Sequence, residues 1–354
     1  MQPLLSIIVV AYNVERYLQK CLASLSNDFI DKLLVDVMII DDASEDDSWR
    51  IIERFCRANA NFRAIRHEIN LGAGAARNTG LDHCSGQYVW FVDGDDYIDP
   101  DRVPEILRTL SDYTPDVLVV RPKGIDINGR EFVHHASCIN SATERLISID
   151  DYYAKNIGLG YSCLYIARHD IVKKNNIRFK SMRFLEDEDF HTRLFIKCTN
   201  IWVSNITCYN YVKRPSSISN DDSVDGLTRR LVSLMQVHAS LAECIGVEEI
   251  RPKMRQALKD RLSEIEFLIM RGYLFTKMSA EQALSIIDSL SKEKIYPFRC
   301  SPEGGSTRNT CYRLAKQAVN SFPILTHHLS AHLLYPIFRA MKGAFTVLKS
   351  TVSG

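Results

Sequence analysis

The sequence predicts an α/β protein, with a parallel sheet flanked by helices and followed by a mostly helical C-terminal region. Three observations carry this. Apolar runs of strand length alternate with segments of helical periodicity through about the first hundred residues. Two of those runs end in carboxylates, at Asp41-Asp42 and at Asp93-Gly94-Asp95-Asp96. From Asp221 onward the pattern is helical and no apolar run is tipped with acids.

In chain order, residues 4–11 read as a strand, apolar on both faces and therefore central and parallel. Tyr12-Asn13 closes it, and Val14, Tyr17, Leu18, Cys21, Leu22 and Leu25 recur at helical spacing. Residues 34–40 form a second buried strand. Ser44 and Asp46 are placed to cap a helix running to Ala58. Residues 62–66 form a third strand and residues 72–84 a helix rich in Gly and Ala. Those small residues admit either a ligand or a closely packed strand, and both readings stand at this point. Strand–helix alternation implies parallel pairing through right-handed crossovers.

Residues 88–99, Tyr-Val-Trp-Phe-Val-Asp-Gly-Asp-Asp-Tyr-Ile-Asp, are the centre of the chain. A buried strand runs directly into three carboxylates, and Gly94 lets the backbone bend there. Clustered carboxylates repel and call for a positive partner, of which a hard divalent cation is the usual one. Acids on the C-terminal edge of a strand also stand where open α/β sheets place ligands. A polar turn is the competing reading, since Asp99-Pro100-Asp101 starts a helix well. Two strands ending in acids at one edge are more telling than either pair alone.

Further on, residues 116–120 read as a strand, Asn128-Gly129 as a hairpin turn, 150–155 as a helix start, 161–167 as a strand and 169–175 as a short helix. Glu186-Asp187-Glu188-Asp189 opens an amphipathic helix, where acids serve either catalysis or simple capping. Residues 201–212 alternate weakly as a strand. Helices follow over 227–245, 250–275 and 280–290. Residues 296–310 read as a linker, and after Glu303 no acid occurs among several arginines and lysines. An apolar face from Leu333 to Leu348 on such a basic helix suits an anionic membrane surface, or docks on its own domain.

The net charge of the 354-residue chain is +1, which argues against nucleic acid as a partner. No apolar run reaches membrane-span length, and residues 4–12 lack a basic leader and a cleavage site. The 10 cysteines form no C-x-x-C pair, so we expect reduced thiols and a cytoplasmic protein.

Taken together, five segments resemble family 2 glycosyltransferases of the GT-A fold. They are Ser6-Ile7-Ile8-Val9-Val10-Ala11-Tyr12-Asn13, Ile39-Ile40-Asp41-Asp42-Ala43-Ser44, Asn70-Leu71-Gly72 with Ala76-Arg77-Asn78-Thr79-Gly80, Phe91-Val92-Asp93-Gly94-Asp95-Asp96, and Glu186-Asp187. The resemblance covers residues 1 to about 220, and its specificity lies in the joint order. It implies a GT-A domain over 1–220; the residue pattern adds a helical extension over 221–295 and a linker with a basic amphipathic tail over 296–354. It implies an inverting transfer of one sugar from a nucleotide-sugar, first of all a UDP-sugar, to a glycan or lipid-linked acceptor. Bacterial members often build capsule, exopolysaccharide or lipopolysaccharide, which would place the chain at the inner face of the cytoplasmic membrane.

Residue by residue, the resemblance puts Tyr12 and Asn13 by the nucleotide base and Asp42 on the uracil imide, with Arg77 near the nucleotide. Asp93-Gly94-Asp95 matches the D-x-D motif. Asp95 is then the main ligand of Mn²⁺ or Mg²⁺, and Asp93 lies by the ribose or the metal. Asp187 matches the general base, with Glu186 preceding it; the dense acids leave Asp189 as the alternative register. Ala43 stands where relatives often carry Gly. No Q-x-x-R-W follows the acidic patch, which points away from a processive synthase. A sugar-1-phosphate nucleotidyltransferase would want a glycine-rich N-terminal loop, which Ala11-Tyr12-Asn13 does not supply. A donor-binding module without catalysis is the non-enzymatic alternative.

Overall fold

The computed structural model describes residues 2–27, 30–31, 33–134, 136, 144–156, 160–182, 184–214, 223–248, 250–276, 278–298, 315–321 and 323–328. The chain divides into two units. The first comprises Met1–Ile218 with Val247–Ala257, and the second Ser219–Gly246 with Leu258–Gly354.

The first unit is built on one mixed sheet. Its strands are β1 (Leu5–Ala11), β2 (Val35–Asp41), β3 (Phe62–Arg66), β4 (Tyr88–Asp93), β5 (Tyr97–Ile98), β6 (Val117–Ile125), β7 (Glu131–Phe132), β8 (Arg145–Ser148), β9 (Tyr165–Arg168) and β10 (Asn200–Val212). The order across the sheet is β3-β2-β1-β4-β9-β6-β10-β5, with β7 on β6 and β8 on β10. β1, β2, β3 and β4 pair in parallel, as alternation with α1 (Glu15–Leu25), α2 (Ser48–Ala58) and α3 (Ala73–His83) predicts. β9 then enters antiparallel to both β4 and β6. The register is what positions the acids: Val10 pairs with Asp93 and Ala11 with Asp41, so both acid-tipped strands end beside the end of β1.

The packing explains the small-residue helix. A Cβ on Gly80 would fall 2.3 Å from Ile8 Cγ2, so α3 lies on β1 at a distance only glycine allows. Gly129, at φ +78°, closes the β6–β7 hairpin at the predicted Asn128-Gly129 turn. Asp99 accepts from Asp101 N and opens a 3₁₀ turn, Pro100–Arg102, that leads into α4 (Val103–Tyr113).

Two local expectations are corrected. α2 begins at Ser48, later than Ser44 and Asp46 suggested. Ser44 Oγ instead accepts from Asn13 N, while Asp46 accepts from Ser48 N and from Glu15 N. Residues 161–167 are not one strand: Ser162–Leu164 form a 3₁₀ turn before β9. Side chains from elsewhere claim that backbone, since Trp90 Nε1 donates to Cys163 O and Ser162 N donates to Asp187. Short β5 and β8 were not apparent from periodicity. α5 (Ile149–Lys155), α6 (His169–Lys174) and α7 (Glu186–Lys197) complete the unit. Residues 247–257 are tied to it by Arg251, whose Nε lies 2.8 Å from both carboxylate oxygens of Asp150.

The second unit is helical, with α8 (Val224–Ile245), the greater part of α9 (Pro252–Phe275) and α10 (Ala280–Lys292). Leu231, Leu241, Ile265, Ile269, Tyr273 and Leu290 are buried in it. A capping box between Ser279 and Gln282 starts α10. Residues 315–321 and Pro323–His328 are also helical. The apolar face from Leu333 to Leu348 and most of the 296–310 linker lie outside the described residues. Seven cysteines are described, at 21, 56, 84, 163, 198, 208 and 244, and all are free thiols.

Candidate active site

At the β1 edge, Asp42 is buried and faces its own chain. Its carboxylate accepts from Leu71 N at 2.9 Å and Gly72 N at 2.7 Å, and meets His67 Nδ1 at 2.7 Å. His67 Nε2 reaches Thr79 Oγ1 on α3 at 2.9 Å. Asp42 therefore fastens the turn before α3 to the end of β2. Asn13 has a similar local role, accepting from Glu45 N through Oδ1 at a left-handed φ of +51°. Ala43 is also left-handed, at φ +62°, a conformation that Gly adopts without the steric cost a Cβ brings. Tyr12 is 45% exposed at the same edge.

Arg77, expected near the nucleotide, bonds side chains of its own chain. Only 4% exposed, it lies among three carboxylates. Nη2 donates to Asp93 Oδ1 at 3.0 Å; Nη1 donates to Glu186 Oε1 at 2.9 Å and Asp187 Oδ1 at 3.1 Å. Burial works against its charge, but Asp187, Asp93 and Glu186 outweigh that and hold its pKa above the usual guanidinium value. One guanidinium thus joins the acid turn after β4 to the acidic start of α7.

The D-x-D turn divides its acids. Asp95 pairs with Arg214, just past β10. Burial and then Asp93 push the Asp95 carboxyl up to about 6, against Arg214. Asp96 turns inward, accepting from Tyr209 OH at 2.6 Å and Val212 N at 2.7 Å. Among the described residues no three His, Cys, Asp or Glu side chains are arranged to hold a metal ion. Asp93 and Asp95 are the two carboxylates that the D-x-D turn offers, each paired with an arginine. Two hard oxygen donors at an electrostatically crowded turn suit Mg²⁺ or Mn²⁺, which are commonly held by one or two carboxylates together with substrate phosphates.

α7 sorts the acidic patch. Leu185 opens it in a left-handed conformation, φ +63°. Asp187 is held by Ser162, whose N donates to Oδ2 at 3.1 Å and whose Oγ donates to Oδ1 at 2.7 Å. Glu186 stands beside it; burial and then Asp187 raise its carboxyl to about 7, with Arg77 opposing. Asp189 is fully buried and paired elsewhere, with Arg193 Nε at 3.0 Å and Lys180 Nζ at 3.9 Å. The structure therefore gathers Arg77, Asp93, Glu186 and Asp187 and leaves Asp189 apart. Ser162, His67 and Tyr209 were not singled out from sequence; a lone Ser, His or Tyr carries no spacing signal.

Residues 6–174 match a family model described as Glycosyl transferase family 2. The putative glycosyltransferase EpsH of Bacillus subtilis (strain 168) is 38% identical over 116 residues, 33% of this chain and 33% of its own length. The poly(ribitol-phosphate) beta-N-acetylglucosaminyltransferase TarS of Staphylococcus aureus (strain MW2) is 26% identical over 253 residues, 67% of this chain and 41% of its own. This chain thus spans well under half the length of either relative. The crystal structure of S. aureus TarS 1–349 in complex with UDP-GlcNAc matches with a TM-score of 0.70 at 21% identity, over 96% of this chain and 92% of that one. The mannosyltransferase PcManGT from Pyrobaculum calidifontis, in complex with GDP-Man and Mn²⁺, matches with a TM-score of 0.53 at 14% identity, over 91% and 88% of the two chains. The fold is the GT-A architecture that the sequence resemblance implied.

Proposed function

We propose that the chain, whose residues 6–174 match the family model of glycosyl transferase family 2, transfers one sugar from a nucleotide-sugar to a hydroxyl of a glycan or lipid-linked acceptor, with inversion, in the synthesis of a cell-surface polymer. The observation that carries this is the Arg77 bridge, with Asp93 on one side at 3.0 Å and Glu186 and Asp187 on the other at 2.9 and 3.1 Å. It brings the acids suited to a donor and its cation together with an acid suited to a proton, around one charge. A UDP-sugar is the first donor, supported by the UDP-GlcNAc complex of TarS; the GDP-Man complex of PcManGT makes a GDP-sugar the alternative to test.

In this reading residues 1–220 carry donor binding and chemistry, with residues 221–295 and 296–354 as extension and tail. Tyr12, Asn13 and Asp42 line the base side, and Asp93 lies by the ribose. Asp95, with Asp93, would hold Mn²⁺ or Mg²⁺, which when bound offsets the charge developing on the leaving diphosphate. Asp187 accepts the proton of the acceptor hydroxyl as its oxygen bonds to the anomeric carbon and the bond to the diphosphate oxygen breaks on the opposite face. Ser162 orients that carboxylate, and Arg77 positions Asp93 and Asp187 relative to each other. Glu186, raised to about 7, is the second candidate for the proton. The working place proposed is the cytoplasm, at the inner membrane face. No described helix is long and apolar enough to cross a membrane.

A thermal-shift panel of UDP-, GDP- and dTDP-sugars with and without Mn²⁺ tests the reading. A donor that binds the folded chain raises its melting temperature, and one nucleotide series should do so with Mn²⁺ more than without. No shift with any nucleotide would refute it.

A further inference from the structure

Both acids of the D-x-D turn are met by arginines, Asp93 by Arg77 and Asp95 by Arg214. Arg77 bonds Asp93 and is fixed from behind by Glu186 and Asp187. Arg214 meets Asp95 through Nη2 and Oδ2, with its guanidinium carbon 5.7 Å from the centre of the Tyr17 ring. It follows the end of β10 by two residues. The Asp95 side chain is 16% exposed and that of Arg214 23% exposed, so the pair is largely sheltered from solvent screening. A Mg²⁺ ion bound directly to a carboxylate oxygen sits about 2.0–2.1 Å away. At that distance it occupies the space and opposes the charge of a guanidinium on the same oxygen.

We propose that Arg214 is a resident counter-ion of Asp95 which a divalent cation must displace, so that the Arg214–Asp95 bond sets the affinity of the chain for free cation. The inference rests on the reading of Asp95 as the metal ligand. Removing the guanidinium leaves a sheltered carboxylate beside Asp93 with less positive charge to offset it. A cation is then bound without first breaking a charge-assisted hydrogen bond. Arg77 does not act in the same way, because three carboxylates keep it in place.

The test is Mn²⁺ binding to the full chain without nucleotide, read from the electron paramagnetic resonance signal of free Mn²⁺. Arg214→Ala and Arg214→Gln are expected to bind Mn²⁺ roughly tenfold or more tightly than the wild type, on the scale of one lost charge-assisted bond. Arg214→Lys, which keeps the charge, should stay near the wild type. Asp95→Asn should abolish binding in both the wild-type and Arg214→Ala backgrounds. If Arg214→Ala and Arg214→Gln bind Mn²⁺ as the wild type does while Asp95→Asn abolishes binding, the counter-ion role is wrong and the ligand assignment stands. If Asp95→Asn leaves Mn²⁺ binding intact, the ligand assignment fails and the counter-ion role falls with it.

Discussion

Ser162 and Asp187 are joined twice, through Ser162 N to Oδ2 at 3.1 Å and Ser162 Oγ to Oδ1 at 2.7 Å. The 3₁₀ turn at Ser162–Leu164 thus fixes the orientation of a carboxylate 25 residues away in sequence. Ser162→Ala keeps the backbone bond and removes the hydroxyl. We expect kcat to fall about tenfold, the scale of one hydrogen bond to a charged acceptor, with KM for the donor little changed. Steady-state kinetics with both substrates varied would check this. An unchanged kcat would remove Ser162 from the site.

Asp187 and Asp189 separate cleanly by variant. Asp187→Asn removes the proton acceptor and should lower kcat by at least about a hundredfold, as loss of a general base does, with donor binding retained in a thermal shift. Asp189→Asn breaks the buried pair with Arg193 and should destabilise the fold by roughly 3 kcal/mol. The molecules that remain folded should keep their turnover within a few-fold. The opposite pattern would reassign the base.

Arg77→Met removes a positive charge that Asp93, Glu186 and Asp187 all bond. Breaking a buried charge pair by deleting one partner costs roughly 3–5 kcal/mol, read here in urea denaturation. Arg77→Lys should recover only part of this, since one ammonium lacks the planar fork that reaches carboxylates on two sides. Wild-type stability in Arg77→Met would show the cluster to be solvated.

The acid side of the stability profile follows from His191. Its Nδ1 donates to Asp187 O at 2.8 Å, and burial pushes its pKa down to about 4, with the Asp187 carboxylate opposing. The folded-state value is below the unfolded one of about 6.5, so the unfolded chain binds more protons between those values. Stability should therefore fall as pH drops from 6.5 to 4, by roughly 3 kcal/mol from this group alone. Glu186 acts in the opposite sense: raised to about 7, it favours the folded state at the acid end of its range and loses that effect as pH rises through 7. Chemical denaturation at stepped pH should give a shallower acid slope in His191→Gln and a flatter neutral region in Glu186→Gln. Profiles identical to the wild type would place both groups in solvent.

Periodicity made β1, β2, β3 and β4 legible to within a residue or so; β1, β2 and β4 are buried almost throughout, and the short β3 is anchored by buried Phe62. The meeting of Asp41 and Asp93 was legible for the same reason, since parallel strands in register end together. The burial of Arg77 was not, because its partners lie 16, 109 and 110 residues away and no local pattern encodes them. The split between Asp187 and Asp189 could have been read earlier. Residues two apart on an α-helix point roughly 200° apart, so a helix opening at Glu186 cannot aim both at one cleft. The break in residues 161–167 was hidden, since the bonds that turn that backbone come from Trp90 and Asp187.

The clamp between Arg251 and Asp150 has a bearing on biosynthesis. The sheet of the first unit ends at Val212, yet one of the unit's sheltered carboxylates meets its cation only when residue 251 has left the ribosome. Until then Asp150 is a half-made ion pair, and the nascent unit is weaker than its finished form. A polypeptide ended at residue 220 should melt at a lower temperature than one ended at residue 257. The natural place to end this unit is therefore past the start of the long helix, inside what reads on paper as its neighbour.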